Sequence, residues 1–182
     1  MKWLSSLFAG SKMAGSKTGA LPAGTQASQF ELPAMDGSSF SLSEALSRGP
    51  VLAVFFKISC PVCQYALPYF QRIYQAYGRD NVTIEGISQN EKQDTALFMK
   101  KYGVTFPVLL DDLKTFPASN AYGLTNVPTT FWISEDGVIE ISSVGWMRKE
   151  FEEIVRKAAL AASKTFTPVF QPAEQIADFR AG

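Results

Sequence analysis

The chain has no histidine among its 182 residues. That excludes Ser-His-Asp and Cys-His activation of a nucleophile, imidazole general-base chemistry, and zinc or haem held through histidine. Cysteine is nearly as scarce, with only two residues. A structural zinc site would have to be completed by carboxylates or by a second chain. Charge of one sign is also missing: 17 basic residues balance 17 acidic ones, so nothing marks a nucleic-acid partner. No apolar run approaches the length needed to span a bilayer. What is present is a globular composition, 46% apolar and 13% aromatic, in a chain long enough for one domain with a real core.

The two cysteines lie together. Val51–Phe56 is a short apolar run bounded by Gly49-Pro50, which reads as a buried parallel strand. Pro61 then suits the first position of a helix, and Val62, Ala66, Phe70, Ile73 and Tyr77 follow at helical spacing. Cys60 and Cys63 therefore form a Cys-x-x-Cys at a strand-to-helix turn, the arrangement of a redox dithiol. Two cysteines scattered at random would fall three apart about once in 90 arrangements. Inert thiols and a shared metal are the competing readings. A helix N-terminus favours negative charge, so Cys60 is the expected attacking thiol. Cys63, one turn in, is placed to resolve the mixed disulfide.

Residues 1–24 are small, Gly/Ser-rich and basic, and read as a flexible N-terminal tail. Leu4–Ala9 is too short for a signal-peptide core. Trp3, Leu4, Leu7 and Phe8, with Lys2 and Lys12, offer weak association with a membrane surface as a sharper alternative. Residues 25–163 form the expected domain. It opens with a hairpin over 29–42 turned at Asp36-Gly37, and Ser43 caps a short helix to Leu46. A strand over 81–88, a helix over 91–102 capped by Asn90 and stopped by Gly103, and a strand over 106–110 follow. A short helix over 114–122 leads to strands over 126–133 and 138–144, joined at Asp136-Gly137, and to a helix over 149–162. The order ββ, βαβαβ, ββα predicts an α/β fold in three layers, a mixed central sheet with helices on both faces and an extra N-terminal β-hairpin. Residues 164–182 read as an irregular C-terminal strap, with Phe166, Phe170 and Phe179 packing on the body.

These residues resemble the thioredoxin superfamily, and more closely its TlpA/ResA-like and redoxin (AhpC/TSA-type) branch. The likeness runs from about Ser28 to Ala162, through FELPAMDGSSFSLSEALSRGPVLAVFF, CPVCQYALP, YGVTFPVLLD and NVPTTFWISEDGVI. It implies a thioredoxin-like fold and a thiol-disulfide oxidoreductase that exchanges the dithiol of Cys60 and Cys63 with protein disulfides. It implies that Pro128 is cis and faces the dithiol, so that the backbone of Val127 binds a substrate strand. No cofactor and no metal is implied. The implied partners are protein disulfides and an upstream thiol reductant or oxidant, met by a monomer.

Departures from the family pattern narrow the chemistry. Relatives of this type often have a proline just before the second cysteine and a glutamate three residues after it; here Val62 and Ala66 stand there. The buried aspartate that thioredoxins carry six residues before the first cysteine is Val54, and their tryptophan is Ser59. Glu85 and Lys57 remain as candidates to influence the Cys63 proton. The alternative function is a peroxiredoxin-like thiol peroxidase of the alkyl hydroperoxide reductase type. Its peroxide pocket needs Pro and Thr/Ser at positions held here by Ala53 and Lys57. A copper chaperone of the Sco type would need a longer cysteine spacing and a histidine. Both cysteines being spent on one motif suits a reducing cytoplasm, with the periplasm as the alternative compartment.

Overall fold

In a computed structural model, described here for residues 19–182, the chain builds one five-stranded mixed sheet with helices on both faces. The strands in chain order are β1 (Glu31–Pro33), β2 (Ser39–Ser41), β3 (Val51–Phe56), β4 (Thr83–Ser88), β5 (Val108–Leu110), β6 (Thr129–Ile133), β7 (Ile139–Val144), β8 (Trp146–Met147) and β9 (Phe179–Arg180). The helices are α1 (Leu42–Leu46), α2 (Pro61–Tyr77), α3 (Lys92–Tyr102), α4 (Pro117–Ala121) and α5 (Arg148–Ala161). The central sheet runs β5-β4-β3-β6-β7, with β3, β4 and β5 parallel and β6 and β7 antiparallel to their neighbours. β1 and β2 form the separate N-terminal hairpin. This is the three-layer arrangement that the sequence predicts.

β3 is the axis of the core, and all six of its residues are fully buried. Strand alternation sends Leu52, Val54 and Phe56 to the face covered by α2, α3 and α5. Val51, Ala53 and Phe55 face α1, α4 and the hairpin. Each fully buried Val, Leu or Phe side chain contributes about 1.5–3 kcal/mol of transfer free energy. A strand loaded on both faces is therefore fixed in register, and whatever follows it in the chain starts from a rigid point.

Several local expectations are corrected. Ser41 rather than Ser43 precedes α1, and the two hydroxyls bond to each other. Glu91 rather than Asn90 precedes α3; the Asn90 side chain is recruited elsewhere, as described below. Residues 21–27, partly assigned to a tail, run along the body. Leu21 N–H donates to Tyr122, Gly24 N–H to Ile139 and Ala27 N–H to Gly137, and Gln26 bridges to Val138 just before β7. The hairpin then reaches β5, where Ala34 bridges to Leu109 and Met35 N–H donates to Val108. The first 18 residues of the expected tail, with the membrane-surface reading of Trp3, Leu4, Leu7 and Phe8, lie outside the described residues.

The strap over 164–182 is irregular apart from β9, and it is anchored at named points. Arg72 grips Glu174 with two hydrogen bonds of 2.6 and 2.7 Å and also donates to the Val169 carbonyl. The guanidinium holds the Glu174 carboxyl down to about 2. Tyr77 Oη accepts from Thr167 N–H, and Trp146 Nε1 donates to the Ala177 carbonyl. Phe170 packs into a cluster with Tyr69, Trp146 and Phe151. Phe166 and Phe179, expected to pack likewise, are largely exposed. Among the described residues no helix is long and apolar enough to cross a membrane.

Glu85 generates a stability prediction. It pairs with Ala53 in the middle of the sheet, is buried, and has one carboxyl oxygen without a partner among the described residues. Burial, with Asp36 adding repulsion, pushes its pKa from 4.5 up to about 8. At Glu85 the folded chain then binds more protons than the unfolded chain between these values, so this group's contribution to stability is full below about 4.5 and is lost as the pH rises through 8. Urea midpoints measured at acid, neutral and alkaline pH should fall across this window. In Glu85→Gln the part of this fall that lies between about 4.5 and 8 should disappear.

Candidate active site

The rigid end of β3 leads directly into the dithiol. After Phe56 the chain makes a three-residue turn, with Cys60 N–H donating to the Lys57 carbonyl, and α2 begins at Pro61. Proline suits this first position because its missing N–H would find no helical partner there and its φ is already helical. Cys60 is the residue before the helix, in extended backbone conformation at φ −82° and ψ 116°. Its sulfur thereby stands in the place of a capping side chain and accepts from Cys63 N–H at 3.2 Å.

The same sulfur donates to the Val127 carbonyl at 3.1 Å. Val127–Pro128 is a cis peptide bond, as the resemblance implied. The four residues singled out from the sequence thus come together: Cys60 and Cys63 at the start of α2, and Val127 and Pro128 on the loop before β6. Both thiols are free. They differ in environment, since Cys60 is half-buried at the surface and Cys63 is fully enclosed. Burial pushes the Cys63 thiol well above its ordinary range, and its bond with Cys60 acts in the same direction.

Two residues that sequence reasoning missed hold the turn. Asn90 Oδ1 accepts from Ile58 N–H at 2.9 Å, and Gln64 Nε2 donates to the Ile58 carbonyl at 2.9 Å. Ile58 is clamped from both sides two residues before Cys60, once from the loop after β4 and once from α2 itself. The signal for Gln64 was its place in the first turn of α2, one residue beyond Cys63. For Asn90 the sequence signal pointed elsewhere, because Asn before a helical stretch usually marks a cap. The two carboxylate and amine candidates do not join the site as expected. Glu85 projects to the opposite face of the sheet from Cys63. Lys57 is exposed and lines a recess of about 230 Å³ bordered by Gln89, Ser119, Asn126 and Val127.

The site has an aromatic flank. Tyr65, two residues beyond Cys63, packs edge-on against Trp146 and beside Tyr69. Its hydroxyl accepts from Ala177 N–H of the strap at 3.1 Å. The strap therefore bears on the helix that carries both cysteines.

Comparison with known proteins places this geometry. Residues 23–142 match the model of the AhpC/TSA family. Thiol-disulfide oxidoreductase ResA of Halalkalibacterium halodurans is 32% identical over 142 residues, which cover 75% of this chain and 79% of that protein. Sporulation thiol-disulfide oxidoreductase A of Bacillus subtilis is 30% identical over 148 residues, covering 79% and 84%. Among solved structures, a thiol:disulfide interchange protein of the thioredoxin family from Chlorobium tepidum superposes with a TM-score of 0.62 at 28% identity, over 76% of this chain and 97% of that one. The chain belongs to the AhpC/TSA family and, within it, with the ResA-like thiol-disulfide oxidoreductases.

Proposed function

We propose that this oxidoreductase acts on protein disulfides through Cys60 as attacking thiolate and Cys63 as resolving thiol. The observation that carries the reading is the position of the Cys60 sulfur, at the start of α2, between Cys63 N–H and the Val127 carbonyl. The Cys60 thiolate attacks one sulfur of a substrate disulfide, and the other leaves as a thiolate. Cys63 then loses its proton, for which the departing substrate thiolate is an acceptor, and attacks the Cys60 sulfur. The second substrate thiol is released and a Cys60–Cys63 disulfide remains, so two electrons pass from the dithiol to the substrate. An upstream thiol reductant restores the dithiol; run in reverse, the same steps oxidise a substrate dithiol. Val127 and Pro128 form the ledge along which the substrate backbone lies during attack.

The enclosure of Cys63 fits the resolving role. A thiol kept protonated by burial does not compete for external disulfides, yet it stands one helical turn from the sulfur that it must attack. The protein acts as a single chain in this reading, since both thiols and the ledge come from one protomer. Nothing in the relatives favours the cytoplasmic placement expected from cysteine usage. The periplasmic alternative fits the substrate, because protein disulfides form and persist in oxidising compartments and are rare in the cytosol.

Two measurements test this reading. Cys63→Ser should accumulate a mixed disulfide between Cys60 and substrate, seen on a non-reducing gel, and lose turnover. Cys60→Ser should trap nothing; trapping through Cys63 would reverse the roles. Peroxide should be consumed by the reduced protein at the pace of an ordinary thiol, because Ala53 and Lys57 occupy the positions of the peroxide pocket. A stopped-flow rate several orders of magnitude faster would favour the peroxidase reading instead.

A further inference from the structure

The last five residues run along the border of the dithiol site. β9 pairs antiparallel with β8, in register Trp146 with Arg180 and Met147 with Phe179. Arg148 N–H donates to the Asp178 carbonyl, and Asn126 Nδ2 donates to the Gly182 carbonyl at 3.0 Å. The fit is close enough to require glycine on both sides. A Cβ on Gly145, at φ +78°, would stand 2.5 Å from the Arg180 carbonyl oxygen. A Cβ on Gly182 would stand 2.6 Å from the Val127 carbonyl oxygen, the atom to which the Cys60 thiol donates. Arg180 lays its guanidinium over the Tyr65 ring, 4.0 Å from its centre. An extended segment thus runs past Tyr65 and ends against the ledge beside the reacting sulfur.

The holding of this segment differs from that of the strap before it. Up to Ala177 the strap is anchored through Arg72, Tyr77, Trp146 and Tyr65. Beyond Ala177 no side chain is buried: Phe179 is 59% exposed, and the Asp178 side chain, 3.7 Å from Arg148, is 93% exposed. Two residues of strand pairing, the hydrogen bonds from Arg148 N–H to the Asp178 carbonyl and from Asn126 to the Gly182 carbonyl, and one cation–π contact hold it, with no buried side chain among them. Exposed ion pairs contribute little to such a hold, and cation–π contacts in water are weak.

We propose that the edge formed by Gly145, Trp146 and Met147, with Tyr65 above it and Val127 at its end, is a docking strand for substrate polypeptides. The chain's own residues 178–182 occupy this edge until substrate displaces them. The segment displays what the edge accepts: an extended stretch in antiparallel pairing, with a basic side chain over Tyr65 and small residues where the backbone passes Gly145 and Val127. The preferred substrate is therefore an unfolded or extended polypeptide with Arg or Lys close to its cysteine, added as a strand. This rests on the assignment of Cys60 and Val127 above, and goes beyond it in naming the edge, its internal occupant and the charge of the substrate.

The test compares the full chain with one ending at Ala177 and with full-length Arg180→Glu. Reduction of a scrambled or unfolded disulfide protein should rise severalfold in kcat/KM for both variants, mainly through a lower KM. Alkylation of Cys60 by iodoacetamide and exchange with a small aromatic disulfide should change less than twofold. A synthetic peptide Asp-Phe-Arg-Ala-Gly should inhibit the shortened protein competitively, and the same peptide with Glu in place of Arg should do so at least severalfold less well. Unchanged or lower kcat/KM toward the protein substrate in both variants, with alkylation intact, would overturn the proposal. So would equal inhibition by the two peptides. Loss of exchange with every disulfide, small and large, in the full-length chain would instead overturn the dithiol assignment itself.

Discussion

The hydrogen bond from Cys63 N–H to the Cys60 sulfur is the contact around which the rest of the structure is arranged. It exists only if Cys60 leaves the strand in extended conformation and the next residue is already helical, and Pro61 enforces the second condition. It stays aligned only if the turn before it cannot drift. The doubly buried β3 supplies one fixed end, and Asn90 and Gln64 fix Ile58 at the middle of the turn. A flexible thiol at the same surface would lose the fixed place between Cys63 N–H and the Val127 carbonyl.

The same contact divides labour between two chemically identical side chains. One sulfur receives the backbone N–H and faces the ledge at Val127. The other is carried by the residue that donates that N–H, and its own thiol points into the core against the sheet. Sequence spacing alone makes the pair equivalent. Their difference comes from the helical rotation across three residues, which turns Cys63 inward as it turns Cys60 outward.

Most of the scaffold was legible because its signals are periodic and long. The apolar run of β3, the helical spacing of α2 and α5, and the Asp36-Gly37 and Asp136-Gly137 turns each imply one local structure, and that structure is found. The losses have physical causes. Asn90 sits where a cap belongs, but tertiary demand from the Ile58 N–H outweighs the local preference. β8 and β9 are two residues each, too short to show any period, and they exist only because the strap returns to the stretch before α5. Glu85 occupies a position whose inward direction follows from alternation with Ile84 and Gly86, yet a carboxylate there contradicts the rule that sequence reading relies on. Phe170 and Phe179 are alike in sequence, and the aromatic cluster around Trp146 decides that one is half-buried and the other exposed.

The N-terminal stretch from Leu21 to Met35 has a consequence for traffic at the surface. It bonds to β7 at one border of the sheet and to β5 at the other, crossing the face between them. An enzyme that handles unpaired polypeptides by letting them join it as strands runs a hazard: any open border invites such chains to add where no chemistry can occur, and two copies to join through the same borders. By bonding to Ile139 at the start of β7 and to Val108 and Leu109 in β5, one early segment covers part of both outer strands. The hairpin is in this sense a fence, set where an added strand would meet no sulfur.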